Sequence, residues 1–258
     1  MPAPVKAAAG VFIYDAAHVL IAAIRSWITY VAVSLYVLVT GLVGMLLAMT
    51  FGWVDILYIF GHGGVRLGLW LSGITFRVAG AENVPLDRAA VFCANHQSNV
   101  DPPVLFHVVH PRLHILYKHE IDQIPVLARA FRMGGFIPID RRNKESAMRS
   151  IEQGAASLRA GHSFLIFPEG TRSKTEDLLP FKKGGFRMAI KAGAPIVPVV
   201  ISGGRAAMVR GSSIIRPVAL TIRIGRPIET RDVDVEGRDA LIERVRQEIA
   251  TLLAQGPL

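Results

Sequence analysis

One cysteine, Cys93, stands among 258 residues, so no disulfide can close within the chain and no thiolate cluster can hold a metal. Charge is scarce: 19% Asp, Glu, Lys and Arg against 51% apolar residues, with a mean hydropathy of +0.39. That is more apolar surface than a soluble domain needs for its interior, so part of it is expected to meet lipid. Aromatic residues are only 8%, and no basic run is interleaved with stacking rings, so the groove of a single-strand nucleic-acid binder is missing. Internal repeats and low-complexity tracts are also absent. The length accommodates one catalytic domain with an appendage and leaves no room for a second full enzyme domain.

The charge that is present leans one way. A net charge of +9 suits an anionic bilayer or negatively charged substrates. The reducing, cytosolic side of a membrane fits a chain with a single thiol. Cys93 itself ends an apolar run shortly before His96. It reads as a small buried core residue, the alternative being a Cys/His nucleophile.

From Ser26 to Val54 there is no formal charge, and Trp27 and Trp53 stand near the two ends. The stretch exceeds the roughly 20 residues a helix needs to cross hydrocarbon, and tryptophan favours the interfaces. It is too long, and begins too far along the chain, for a cleavable signal. Gly41, Gly44 and Gly52 allow a bend, and Asp55 to Leu71 is again apolar, with only Asp55 and Arg66 charged. A spanning helix and a hairpin dipping into one leaflet therefore both satisfy the sequence. Residues 11–24 are apolar too and are expected to lie in the interface.

From Ile74 onward, short β-branched runs alternate with amphipathic segments, separated by Gly and Pro. Strands are expected near 74–79, 89–94, 114–118, 135–139, 163–167, 196–202 and 218–224, and helices near 102–110, 122–132, 144–160, 183–192 and 237–254. Such alternation predicts an α/β fold, a mixed, largely parallel sheet flanked by helices, with an N-terminal helical membrane-anchoring segment. The expected division is 1–72 for the apolar segment and 73–258 for the α/β domain.

Chemistry is expected at strand ends. Asn95-His96-Gln97-Ser98-Asn99-Val100-Asp101 follows an apolar strand and precedes two prolines. An imidazole there can take a proton from an attacking hydroxyl, while a carboxylate five residues on fixes its tautomer. Asp101 before Pro102 also looks like a helix cap, and its two oxygens allow both jobs, one holding the ring and one an amide. Ser98 lacks the G-x-S-x-G elbow that would make it a nucleophile. His107 and His110 lie one helical turn apart, but no second ligand pair completes a metal site.

The H-x-x-x-x-D of His96 and Asp101 after a hydrophobic strand resembles the glycerolipid acyltransferase family, and three further blocks follow in that family's order. Gly135-Phe136-Ile137-Pro138-Ile139-Asp140-Arg141 resembles its charged strand end. Phe167-Pro168-Glu169-Gly170-Thr171-Arg172-Ser173 resembles its F-P-E-G-T-R-S. Ala194-Pro195-Ile196-Val197-Pro198-Val199 resembles its proline-bearing strand, which here suggests packing. The similarity covers about residues 74–203 and includes the stretch around Tyr117-Lys118.

The resemblance implies acyl transfer from acyl-CoA or acyl carrier protein to the free sn-2 hydroxyl of 1-acylglycerol 3-phosphate. His96 would be the general base and Asp101 its orienter, without metal or cofactor. It also implies that Arg141, Gly170, Thr171, Arg172 and Lys118 bind the acceptor phosphate, with Glu169 organising that site by pairing with an arginine. A guanidinium fork and a glycine-bearing loop are suited to phosphate on physical grounds. Lys182 and Lys183, before Gly184-Gly185 at an expected helix start, could meet headgroups, the donor or water. The expected partners are membrane lipids, a lysophospholipid acceptor and the thioester donor, with no nucleic acid. The expected location is an inner or cytoplasmic membrane with the domain on the cytoplasmic side. Related acceptors (lyso-ornithine lipid, lysocardiolipin, glycerol 3-phosphate), a lipid hydrolase and a non-catalytic basic lipid binder are the alternatives.

Overall fold

The computed structural model describes residues 16–258 apart from 174, 176 and 235; residues 11–15 of the apolar segment expected in the interface fall outside that range. Two helices come first, α1 (Ala16–Phe51) and α2 (Asp55–Ser72). Hydroxyls along α1 bond back to carbonyls four residues earlier, Ser26 to Ala22, Thr29 to Arg25, Thr40 to Tyr36 and Thr50 to Leu46. Polar groups on an apolar helix are thereby satisfied without water. Gly52, in the left-handed region at φ 71°, ends α1 and turns the chain back. The two helices approach closely because small residues face large ones: Gly44 lies against Leu57 and Phe60, and Gly64 against Tyr36. Gly73 stops α2 in the left-handed conformation, its N–H returning to Leu69 and Trp70 carbonyls.

Seven strands follow: β1 (Thr75–Ala79), β2 (Val91–Ala94), β3 (Leu113–Lys118), β4 (Ile137–Ile139), β5 (Ser163–Ile166), β6 (Ile196–Ser202) and β7 (Ala219–Ile224). Between them lie α3 (Asp101–Val108), α4 (Pro125–Met133), α5 (Lys144–Arg159), α6 (Gly184–Ala192) and the short α7 (Gly204–Ala207), with α8 (Arg238–Ala254) last. The sheet order is β1-β7-β6-β2-β5-β3-β4. Strands β6, β2, β5, β3 and β4 run parallel, and β7 meets β6 antiparallel. The expected fold class is the one found. Strand β4 is shorter than the pattern suggested because Gly135 takes φ 81° and keeps the chain out of the ladder until Ile137. The four-residue α7 left no periodic signature to detect.

Burial alternates along the central strands, but both faces are covered. Phe92, Ala94, Leu165, Val197 and Val199 enter the core shared with α3 and Tyr58 of α2. Val91, Cys93, Phe164, Ile166, Ile196 and Val200 enter the other, against Ile151, Phe186, Met188, Leu241 and Val245. This explains why the strands read as continuous apolar runs. Cys93 is fully buried in that second core, where desolvation pushes its thiol well above the usual range. It is a packing residue. Because five neighbouring strands run the same way, their carboxyl ends share one edge, which is where an open α/β sheet collects its ligands.

Candidate functional site

Five chain segments leave that edge: residues 95–101 after β2, 167–173 after β5, 119 onward after β3, 140–143 after β4 and 203–217 after β6. Asn95 bridges the gap where the chain leaves β2. Its Oδ1 accepts from Ile201 N–H at 2.8 Å and its Nδ2 donates to the Ile201 carbonyl at 3.0 Å. His96 is thereby fixed just beyond the sheet, its ring against Phe167 with centroids 4.3 Å apart. Nδ1 lies 3.0 Å from Asp101 Oδ2. A carboxylate only accepts, so Nδ1 carries the hydrogen and Nε2 keeps its lone pair.

Asp101 departs from expectation in two ways. The carboxylate does not divide its tasks, because Oδ2 also accepts from the amides of Gln97 and Ser98, both at 2.6 Å. Nor is it an N-cap: α3 starts at Asp101 itself, and the amides it binds lie upstream of the helix. Oδ1 is buried without a hydrogen-bond partner. The Cα of Gly204 packs so closely against it that any side chain there would collide. Ser98 is spent as well, since its buried hydroxyl donates to the Met208 carbonyl at 3.0 Å.

Glu169 is the second departure. The arginine partner expected for it is replaced by two backbone amides, those of His96 at 2.8 Å and Leu179 at 3.1 Å. Burial raises its pKa, and the two amides oppose that rise. Its position makes it an organiser of the His96 loop. The Ser173 amide donates to the His96 carbonyl at 2.8 Å, so loops 95–101 and 167–173 are stitched together from both ends.

The basic side chains gather around the same loop. Arg141 Nη1 donates to the Gly170 carbonyl, while Asp140 receives the Arg142 amide at 2.9 Å rather than an arginine side chain. Gly170 is left-handed at φ 69°, and a Cβ there would meet Lys182 Cε at 2.8 Å and Nζ at 3.0 Å. Lys182 thus overlies the loop on one side as Arg141 meets it on the other, whereas Lys183 pairs with Asp239 at 2.8 Å. Lys118 is engaged by Glu120 at 2.6 Å. Thr171 is exposed, and the Arg172 carbonyl accepts from Arg210 Nη1 at 2.9 Å. Among the described residues, no group of three or more His, Cys, Asp or Glu is arranged to hold a metal. His107 instead faces His62, Nδ1 to Nδ1, at 3.1 Å.

Sequence reasoning missed Asn95 and Arg210, and left Lys182 undecided. Asn95 carried a signal, being a polar residue at the end of an apolar strand; Arg210 sits in a segment without periodicity and gave none.

Residues 75–202 match the family profile described as Acyltransferase. The chain is 33% identical over 188 residues to the 1-acyl-sn-glycerol-3-phosphate acyltransferase of Cocos nucifera, and 35% identical over 137 residues to that of Borreliella burgdorferi. The chain belongs to the acyltransferase family. The matched regions cover 72% and 53% of this chain, and 60% and 55% of those two relatives. The chain therefore spans less than two thirds of the length of these curated family members. The crystal structure of the 1-acyl-sn-glycerophosphate (LPA) acyltransferase PlsC from Thermotoga maritima superposes with a TM-score of 0.78 at 23% identity, covering 91% of this chain and 97% of that one. At that identity the likeness concerns the fold, and its coverage reaches past the family domain into the helical hairpin.

Proposed function

We propose that this protein is a membrane-associated acyltransferase that moves a fatty acyl chain from a thioester to the free sn-2 hydroxyl of 1-acylglycerol 3-phosphate, giving phosphatidate. The observation that carries this reading is the 3.0 Å contact between His96 Nδ1 and the buried Asp101 carboxylate, on a loop stitched to the one that Arg141 meets. In the proposed reaction His96 Nε2 takes the hydroxyl proton as the hydroxyl oxygen bonds to the thioester carbonyl carbon. The tetrahedral intermediate collapses by breaking the carbon–sulfur bond, and the imidazolium returns its proton to the leaving thiolate. Asp101 remains ionised throughout and stabilises the imidazolium. Arg141, Lys182 and Arg172 hold the acceptor phosphate, with Lys118 available once it leaves Glu120. Alignment of two tethered reactants contributes up to roughly 7 to 11 kcal/mol at the best geometries. The donor is acyl-CoA or acyl carrier protein, both anionic and both suited to a chain of net charge +9.

The hairpin supports a lipid-side location. Leu20, Trp27, Leu35, Leu42, Leu46 and Met49 on α1 and Trp70 on α2 are exposed. Helix α1, at about 1.5 Å per residue, is longer than the roughly 30 Å hydrocarbon core. Yet it touches the α/β domain at several points along its length: Ser26 Oγ accepts from the Ile215 amide at 2.7 Å, Tyr30 donates to the Ser213 carbonyl at 2.8 Å, Gly41 lies against Val126, and Arg129 Nη2 lies 3.8 Å from Met49 Sδ. Contacts with its own domain at points along α1 favour a hairpin resting in one leaflet over a spanning helix, in our reading the cytoplasmic leaflet.

The test is mass spectrometry of the lipid formed when purified wild type and His96→Ala receive acyl-CoA with a panel of lysolipids. Wild type is expected to form phosphatidate from 1-acylglycerol 3-phosphate, with a fall of about 10²- to 10⁴-fold in the variant. A folded His96→Ala with near wild-type turnover refutes the assignment. Thioester loss at one rate with or without acceptor makes the protein a hydrolase, and no loss at all makes it a lipid binder.

A further inference from the structure

The segment after β6 holds a feature the proposed reaction leaves unused. Arg205, in the first turn of α7, is a half-buried residue whose Nε and Nη2 are covered and have no hydrogen-bond partner. These two nitrogens form one edge of the guanidinium, the side whose parallel N–H groups take a carboxylate or phosphate in bidentate fashion. Buried polar groups are almost always satisfied, and a cation left without an acceptor demands an explanation. The neighbouring residue, Gly204, is the one whose Cα packs on Asp101 Oδ1. Arg205 therefore leaves the main chain immediately beside the acid–base loop, on the β6 flank of His96, whereas Arg141 arrives from β4.

The flanking sequence is basic: no aspartate or glutamate occurs from residue 178 to 228, a span containing nine lysines and arginines, and the acidic group found beside this turn is Asp101, whose Oδ2 is already held by three donors. The same segment is anchored to the site at two further points, Met208 accepting from Ser98 at 3.0 Å and Arg210 donating to the Arg172 carbonyl at 2.9 Å.

We propose that Arg205 is a further phosphate-binding residue of the site, its Nε–Nη2 edge, covered in this structure, turning out to grip a substrate phosphate on the side of His96 opposite Arg141. This rests on the acyl-transfer reading, which supplies two phosphate-bearing substrates, and the ligand chemistry is the same for either. The test uses the purified full chain as wild type, R205Q, R205K and R141Q. Two readouts are taken: KM for 1-acylglycerol 3-phosphate and for acyl-CoA, each varied separately, and the rise in Tm on adding inorganic phosphate, against chloride at equal ionic strength. R205Q is expected to raise one KM by about 10- to 100-fold with kcat within a few-fold, which is the loss of a charge-assisted bidentate contact. R205K recovers little, because an ammonium lacks the fork. The substrate whose KM moves identifies the phosphate, acceptor or donor, and the phosphate-induced Tm rise shrinks in R205Q.

Both KM values within twofold of wild type overturn the proposal, as does a shifted acid limb of the pH–rate profile with an unchanged phosphate response, which makes the guanidinium a support for Asp101. Should R205Q fail to fold, the R205K values decide by the same criteria. If wild type transfers no acyl chain, the reaction reading falls separately; loss of the phosphate response in R205Q then still sustains the binding role, and its persistence ends it.

Discussion

Replacing Asp101 by asparagine separates the carboxylate's charge from its shape. The asparagine carbonyl must take the place of Oδ2, since an NH₂ there would face three donors, the His96 ring and the amides of Gln97 and Ser98. The NH₂ then falls where Oδ1 was, buried beside Gly204 and without an acceptor. Each of the three bonds changes from charge-assisted to neutral, a loss of about 1 kcal/mol apiece, and the stranded NH₂ costs about 1 to 3 kcal/mol. Burying an amide is easier than burying a carboxylate and offsets part of this, so the expected net loss of stability is about 1 to 3 kcal/mol. The kinetic effect is larger, because the imidazolium formed during transfer loses its counter-charge: kcat is expected to fall about 10²- to 10⁴-fold. Thermal unfolding and steady-state acyl transfer on one preparation of D101N measure the two effects side by side. Loss of Tm with kcat within threefold of wild type would mean that Asp101 only shapes the loop, and the base–orienter argument would be wrong.

Three other outcomes follow from the geometry. Gly170→Ala, at φ 69° against Lys182, is expected to cost about 1 to 2 kcal/mol of stability and to raise acceptor KM; unchanged values of both would deny the loop its role. His114 is buried against His162 and Phe164, and desolvation, then the charges of His162 and His110, pulls its pKa down to about 4. The fold therefore favours the neutral ring, the unfolded chain binds the extra proton below pH 6.5, and stability falls by up to about 3 kcal/mol as pH drops from 6.5 to 4; a Tm profile of His114→Leu as steep as wild type over that window contradicts this. All three tryptophans, Trp27, Trp53 and Trp70, are exposed on the hairpin or its turn, so vesicles should blue-shift the intrinsic emission, and an unmoved spectrum argues against lipid contact.

The pattern of strands and helices was legible because apolar runs covered on both faces leave a strong periodic trace, as at Val91 to Ala94 and Ile196 to Ile201. His96, Asp101, Arg141 and the 167–173 loop were legible because their residue types stand at strand ends. What escaped was partner choice. Glu169 meets two amides and Asp101 crowds three donors onto one oxygen, and such choices depend on where loops from distant strands converge. Arg205 escaped because it stands in a four-residue turn whose neighbour Gly204 meets Ser98 and Asp101 across the fold, which no local spacing records.

The stretch that carries Arg205 also ties the hairpin to the His96 loop. Ser26 bonds to both the N–H and the carbonyl of Ile215, and a few residues earlier Met208 receives the Ser98 hydroxyl. Ser26 and the His96 loop are thus joined through one short stretch of chain, residues 208–215. A support that holds α1 in place is therefore expected to steady that stretch, and equal transfer rates in detergent and in flat lipid bilayers would deny the link.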